Sequence, residues 1–161
     1  MSTTDQQLGI SCPPSEVYAA LIAIERRPEL DPTVSEVEPL HPDDLPLHET
    51  SAFQGRGGVP GQDTEFEGVV TGLQPDAFVG FLFNYANGSR LFEEWTLRPV
   101  PSGTLVTYHA ELMLPSGIVG RLLDKVLVGG GFARQRERVL AQFKAALESG
   151  APPDNATEKV Y

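Results

Sequence analysis

The chain is poor in cysteine. Cys12 is the only cysteine among 161 residues, so the chain can form no internal disulfide bond and no thiolate metal cluster. A lone thiol fits a reducing compartment, and we expect a cytoplasmic protein. The first seven residues contain no basic residue and no apolar run, so they are not expected to act as a signal peptide.

Basic residues are also scarce. Lysine and arginine together number 12, against 22 aspartates and glutamates, which gives a net charge of −10. A nucleic-acid-binding surface has to be basic, and the same negative charge disfavours docking on anionic lipid. No stretch approaches the roughly 18 apolar residues of a membrane-spanning helix. We therefore expect no nucleic-acid partner and no membrane insertion.

Signals for metals and cofactors are missing. The three histidines, His41, His48 and His109, do not have the close spacing of metal ligands. The segment 55–61 is rich in glycine, but Pro60 stands where a dinucleotide fingerprint needs glycine. The sequence therefore predicts no metal site and no cofactor.

The length is that of one domain, and we predict a single domain over 1–150 followed by a flexible tail over 151–161. A helix is predicted over 14–26, because a proline pair favours its start and apolar residues recur at helical spacing. Pro28 and Pro32 are expected to end that helix.

Seven segments are predicted to be strands, because they alternate apolar and polar residues or are rich in β-forming residues, and because turn residues separate them. Short links such as Asn87-Gly88 make consecutive strands antiparallel neighbours. The predicted strands cover 6–11, 34–40, 49–54, 63–73, 76–86, 89–100 and 103–115.

The last predicted element is a long helix from Ser116 to Gly150. Glycines 129–131 lie inside it, and each costs about 1 kcal/mol relative to alanine in a helix. The direction of the apolar residues also changes at these glycines. We therefore expect a kink or a break there, with a short helix before it and a long one after it.

This order of elements, with several local motifs, resembles the START/Bet v1-like (SRPBCC) superfamily, which includes polyketide cyclases and small lipid- or hormone-binding proteins. The resemblance implies an α+β helix-grip fold, in which a curved antiparallel sheet of about six to seven strands wraps on a long C-terminal helix around an apolar cavity. The motifs are Pro13-Pro-Ser-Glu-Val-Tyr, Arg27-Pro-Glu-Leu-Asp-Pro, Trp95-Thr-Leu-Arg-Pro-Val-Pro-Ser-Gly-Thr and Leu140-Ala-Gln-Phe-Lys-Ala-Ala-Leu-Glu.

One motif departs from the superfamily's pattern. Arg27 stands where aromatase/cyclases of this superfamily often have tryptophan in Trp-Pro-Glu-Leu, and Val34 falls near the position of their catalytic tyrosine. The departure argues against an aromatase mechanism.

Glu93 is the first candidate for chemistry. Leu91, Trp95 and Leu97 predict the inward face of their strand, and the period of two places Glu93 on that same face. An inward carboxylate is costly unless it is paired. The alternative is a hydrated Glu93 at the rim, near the Asn87-Gly88 turn.

Arg136 is also a charged residue on an apolar face, because helical spacing places it on the same side of the last helix as its apolar residues. Either its head snorkels to the edge, or it pairs with Glu93 inside the cavity. Tyr108 faces inward by alternation on its own strand. Glu93, Tyr108 and Arg136 are therefore the candidate catalytic residues, which would hold a polar group of a ligand or act as acid and base.

Apolar and aromatic residues on the same inward faces are candidates for ligand binding, although core packing is the alternative for each. They are Phe81, Phe83, Tyr85, Trp95, Val106, Phe132, Val139 and Phe143.

These patterns predict binding of a small hydrophobic molecule in an internal cavity, either by a simple binding protein or by a polyketide cyclase/dehydratase-like enzyme that needs no cofactor. The alternative is a non-catalytic protein-interaction or cochaperone-like module that works through its acidic surface. We expect a monomer or a homodimer.

Overall fold

A computed structural model of the chain describes residues 1–58, 63–115 and 130–150. A short 3₁₀ turn, Ile24–Arg26, lies between the first two helices. The helices are α1 (Pro14–Ile22), α2 (Arg27–Leu30) and α3 (Gly131–Gly150). The strands are β1 (Ser2–Ile10), β2 (Val34–Pro39), β3 (Ala52–Gly57), β4 (Thr64–Gln74), β5 (Phe78–Tyr85), β6 (Arg90–Val100) and β7 (Gly103–Met113).

The seven strands form one antiparallel sheet in the order β1-β7-β6-β5-β4-β3-β2. Helix α3 is fastened to the start of the chain, where the Lys144 ammonium donates to the Gly9 carbonyl (2.7 Å) and the Ser11 N–H donates to the Glu148 carboxylate (2.8 Å). Its buried face carries Phe143 and enters the core. This arrangement confirms the predicted α+β helix-grip fold.

The predicted end of the first helix is wrong. Helix α1 stops at Ile22, because Ala23 leaves the helical conformation (φ −87°, ψ 75°). The Ile22 carbonyl then accepts a hydrogen bond from the Leu47 N–H (3.0 Å). The chain turns at Ala23 and re-enters a helix at Arg27. Pro28 therefore opens α2 instead of ending α1, as proline can in the first turn of a helix.

Three strand boundaries differ from the prediction by three residues or more. Strand β1 starts at Ser2, because its pairing with β7 extends to Ser2–Leu112. Strand β3 covers Ala52–Gly57 instead of the predicted 49–54, because residues 55–57 pair on both sides with β2 and β4. The Asn87-Gly88 turn is confirmed, with Gly88 at φ +94°.

The start of α3 agrees in part with the predicted break in the last helix. Gly130 has φ +85°, which a right-handed helix does not allow, and α3 begins at the next residue. The predicted shorter helix and the predicted tail lie outside the described residues. Within the described ranges, no helix is both long and apolar enough to cross a membrane.

Two phenylalanines of β3 and β4 lie over glycines of the neighbouring strand. Phe53 is paired with Gly68, and Phe66 is paired with Gly55. A methyl group on either glycine would overlap the facing ring. The two rings pack edge to face at 6.3 Å between centroids, so these glycines make room for the aromatic core.

Gly68→Ala should lower the free energy of unfolding by about 1–3 kcal/mol, since the added methyl group forces the buried Phe53 ring to move. Gly9→Ala is the matched control, because nothing lies within 4 Å of the added carbon. It should change the free energy by less than about 0.5 kcal/mol. Urea unfolding of both variants measures the difference, and equal effects would contradict the packing described here.

A histidine joins β1 to β7 on the outer face of the sheet. The two ring nitrogens of His109 lie 2.8 Å from an Asp5 oxygen and 2.8 Å from a Glu111 oxygen. Glu94 of β6 is the residue opposite His109 in the sheet. The hydrogen bonds that His109 donates to the Glu111 and Asp5 carboxylates raise its pKa, so folding favours the protonated ring.

The stabilisation by His109 should depend on pH. Because the pKa of His109 is higher in the folded protein than in the unfolded chain, its protonation stabilises the fold. This stabilisation is fully present when the pH is below the unfolded pKa of about 6.5, and it is lost as the pH rises through the folded pKa. Urea unfolding of the wild type and of His109→Gln should therefore differ most near about pH 6 and least near about pH 9. A difference that stays constant or grows with pH would contradict this account.

Candidate functional site

Glu93 lies at the centre of β6 with its side chain fully buried (0% exposed). Its Oε1 accepts a hydrogen bond from Nη2 of Arg27 (2.6 Å). Its Oε2 accepts from the Tyr108 hydroxyl (2.6 Å) and from Nη1 of Arg136 (3.2 Å). The Trp95 indole N–H lies 3.4 Å from Oε1. Both oxygens of this carboxylate are therefore occupied by donors.

Arg27 reaches the interior from the start of α2 and is only 4% exposed. Its guanidinium carbon lies 5.3 Å from the ring centroids of both Phe81 and Phe83, within the range of cation–π attraction. Its Nε donates to Oδ2 of Asp31 (2.9 Å), one helical turn further along the chain. Arg27 therefore bridges two buried carboxylates, those of Glu93 and Asp31.

Asp31 completes the charge balance of the interior. Its Oδ1 accepts from the backbone N–H of Thr33 (2.8 Å) and from the Thr33 hydroxyl (2.6 Å). Burial raises the pKa of Asp31, but the two neighbouring cations, Arg27 and Arg136, lower it by more. The pKa of Asp31 is therefore below its ordinary value. The two carboxylates and two guanidiniums sum to zero charge. We call Arg27, Asp31, Glu93, Tyr108 and Arg136 the buried network.

Arg136 enters the buried network from the first turns of α3, with 2% of its surface exposed. Besides Glu93 it contacts the Tyr108 oxygen (Nη1, 3.3 Å), the Thr33 hydroxyl (Nη2, 3.4 Å) and Oε1 of Gln135 (Nη2, 3.0 Å). These contacts tie α3 to β6, to β7 and to the segment after α2.

The protonation states follow from these contacts. Burial alone lowers the pKa of a guanidinium, but Glu93 and Asp31 raise the pKa of Arg27 above its ordinary value. Burial and the Glu93 carboxylate both raise the pKa of Tyr108. Tyr108 therefore stays a neutral hydroxyl that donates to Glu93. A side chain held this way can position charged groups.

The predicted ion pair between Glu93 and Arg136 is present, and the rim and edge alternatives are not adopted. Arg27 and Asp31 were missed as site residues. Arg27 extends the apolar stripe of Val17 and Ile24 by one helical step, which was the available signal. Asp31 follows Arg27 at a spacing that allows an ion pair on a helix. The catalytic role of Glu93, Tyr108 and Arg136 stays a prediction.

The predicted ligand-binding residues fall into two groups. Tyr85 and Phe132 line a small internal cavity beside the start of α3. The others are buried in close packing; Trp95, for example, contacts Phe143 at 4.9 Å between ring centroids. The packed residues are Phe81, Phe83, Trp95, Val106, Val139 and Phe143.

The cavity beside α3 has a volume of about 20 Å³, enough for one water molecule. Its apolar walls come from the ends of β6 and β7 and from α3. Its polar groups include those of Ser89, just before β6, and of Gln135 and Arg136 on α3. Between the described residues, this cavity is too small to hold a ligand. The lining residues are Gly58, Thr64, Tyr85, Asn87, Ser89, Leu91, Leu112, Leu114, Phe132, Gln135 and Arg136.

A second, open depression of about 550 Å³ lies on the sheet, over strands β2 to β5. Four glutamates line it together with Arg56, which lies 3.5 Å from Glu65. In the ranges described, no group of three or more His, Cys, Asp or Glu side chains could hold a metal ion. Cys12 is buried, and its thiol lies 3.7 Å from the Leu147 carbonyl.

Comparison with known proteins gives a family and a fold. Residues 1–148 match the family model described as "Polyketide cyclase / dehydrase and lipid transport". No curated protein matches the chain.

Solved structures with the same fold have low sequence identity to this chain, so they inform the fold alone. TTHA0849 from Thermus thermophilus has a TM-score of 0.74 at 17% identity, over 93% of this chain and 99% of that one. CV1439 from Chromobacterium violaceum has a TM-score of 0.63 at 18% identity, over 92% and 99%. Ara h 8.0201 has a TM-score of 0.63 at 8% identity, over 92% and 99%.

Removing one charge from the buried network should be costly. Arg27→Met leaves two buried carboxylates without their shared partner and should lower the free energy of unfolding by about 3–5 kcal/mol. Arg26→Met is the matched control, because Arg26 is exposed and its ion pair within the described residues is with the exposed Glu29. It should cost less than about 1 kcal/mol. Urea unfolding compares the two, and similar losses would show that the network contributes no special stability.

Proposed function

Because the chain belongs to the polyketide cyclase/dehydrase and lipid transport family, we propose that it binds a small hydrophobic molecule between its sheet and α3. Membership and the helix-grip fold support hydrophobic ligand binding in general. The proposed place is the cavity beside the first turns of α3, where Arg136 of the buried network forms part of the wall.

The observation that carries the proposal is the composition of this cavity. Leu91, Leu112, Leu114 and Phe132 supply apolar wall, while Arg136 and its polar neighbours converge on the same space. Small-molecule sites have this character, with mainly apolar walls and a few placed polar groups. The described residues leave room for one atom of a ligand, so we expect the apolar walls to move apart when a molecule binds.

We further propose that any cyclase or dehydratase chemistry works here by holding a flexible substrate in one shape, without a cofactor. Glu93 already accepts hydrogen bonds from three neighbours at up to 3.2 Å, and Tyr108 has a raised pKa. Proton transfer by either group would require breaking the buried network. Their part, with that of Arg136, is to keep the site rigid.

A second candidate is a protein-interaction module, and the close packing of the described interior favours it. The depression over β2 to β5 carries Glu36, Glu38, Glu65 and Glu67 around Arg56. Such a surface suits a basic partner. In that case the protein would act without a small ligand.

Native mass spectrometry of the purified protein, compared with the denatured chain, tests the first proposal. We expect a co-purified hydrophobic molecule, seen as added mass that disappears on denaturation. Leu114→Trp should reduce this added mass, because the larger side chain fills the cavity mouth. Leu45→Trp is the control, since Leu45 is an exposed loop residue that does not line the cavity.

If the Leu114→Trp variant carries as much added mass as the wild type, the ligand binds outside the cavity beside α3. If no added mass is found and a panel of lipophilic compounds does not raise the melting temperature, the ligand-binding proposal is wrong. The interaction module would then be the remaining candidate.

A further inference from the structure

Unpartnered polar atoms gather at the cavity beside α3. Within the described part of the chain, four buried side-chain nitrogen or oxygen atoms have no hydrogen-bond partner. Three of them belong to residues that line this cavity: Oγ of Ser89, Nε2 of Gln135 and Nε of Arg136. Their side chains are at most 5% exposed. Buried polar atoms are normally satisfied, so such a cluster calls for an explanation.

All three atoms can donate a hydrogen bond, and two of them can do nothing else. The orientation of the Gln135 amide is fixed by chemistry, because its oxygen accepts from Nη2 of Arg136, which is only a donor. Its NH₂ group is therefore the unpartnered end. Nε of Arg136 is also only a donor, and the Ser89 hydroxyl can donate as well. The group that satisfies this cluster has to be an acceptor.

The charge of the surroundings decides which kind of acceptor fits. Arg136 and Arg27 are already balanced by Glu93 and Asp31, all of them buried. An anionic acceptor would add a buried charge without a partner, which is costly. A neutral acceptor adds none. The volume of about 20 Å³ suits a single oxygen atom.

We propose that this cluster recognises the carbonyl oxygen of a neutral lipophilic ligand, a ketone or an ester, whose apolar part lies against Leu112 and Phe132. This inference rests on the proposed ligand-binding function and adds the chemical class of the ligand. The carbonyl oxygen takes the place of a water molecule between Ser89, Gln135 and Arg136.

Matched ligands of one skeleton test the proposal. We would titrate the protein with 2-acetylnaphthalene, 2-ethylnaphthalene and 2-naphthoate, and repeat the series with 2-decanone, decane and decanoate. These sets differ in a neutral carbonyl, no acceptor, or an anionic acceptor on the same skeleton. Isothermal titration calorimetry should show the ketone binding at least about tenfold more tightly than its hydrocarbon, the gain of about one net hydrogen bond.

Two variants locate the preference. Gln135→Met removes the donor without adding a buried charge, so it should cost the ketone about tenfold and leave the hydrocarbon unchanged. Ser89→Ala removes a hydroxyl with no partner in the described residues, so it should weaken ketone binding without lowering the melting temperature. Ser102→Ala, in an exposed turn, should change neither quantity.

The outcomes separate this inference from the function on which it rests. Equal affinity for ketone and hydrocarbon, or a ketone preference that both variants leave intact, overturns the carbonyl site while ligand binding stands. Tighter binding of the carboxylates overturns the argument from charge. If neither series binds while native mass spectrometry shows a co-purified hydrophobic molecule, the carbonyl site is overturned and the proposed ligand binding stands.

Discussion

The interior of this protein depends on one interaction, the ion pairs that two guanidiniums form with the carboxylate of Glu93. Arg27 comes from the segment after α1, and Arg136 comes from α3. The same carboxylate accepts from Tyr108 on the neighbouring strand. One buried side chain in the middle of the sheet therefore fixes where two helices lie. A buried ion network is weak evidence for net stability, since apolar residues of similar volume can do as well, but it strongly penalises other arrangements.

The network also shapes the space that is left for function. Arg27 fills the volume over the rings of Phe81 and Phe83, where a ligand would otherwise have room. The unfilled space is displaced toward the start of α3. There Gln135 uses its oxygen for Arg136 and has its NH₂ group left over. The same contacts that close the centre of the fold thus leave donors at its edge, and these donors define the proposed ligand chemistry.

Much of the fold could be predicted from the sequence, because strand alternation and turn residues are local signals. The period of two placed Glu93 on the inward face of its strand, and helical spacing directed Arg136 toward the sheet, but the sequence left a hydrated rim position for Glu93 and an edge position for Arg136 open. Arg27 was missed because a charged residue next to a proline looked like the end of a helix, whereas its partner Glu93 is 66 residues away in the chain. The third strand was predicted to end at residue 54, because the sequence does not show that Gly55 continues the strand with Phe66 lying over it. The size of the cavity depends on long-range packing and could not be predicted.

The central claim, that two arginines are locked on a buried carboxylate, can be measured directly by NMR of the arginine side chains. We expect the guanidinium N–H signals of Arg27 and Arg136 to be resolved, with hindered rotation and hydrogen exchange far slower than those of the exposed Arg98. Substitution of each arginine by methionine assigns its signals. Averaged signals for Arg27 and Arg136 that exchange as fast as those of Arg98 would contradict the account.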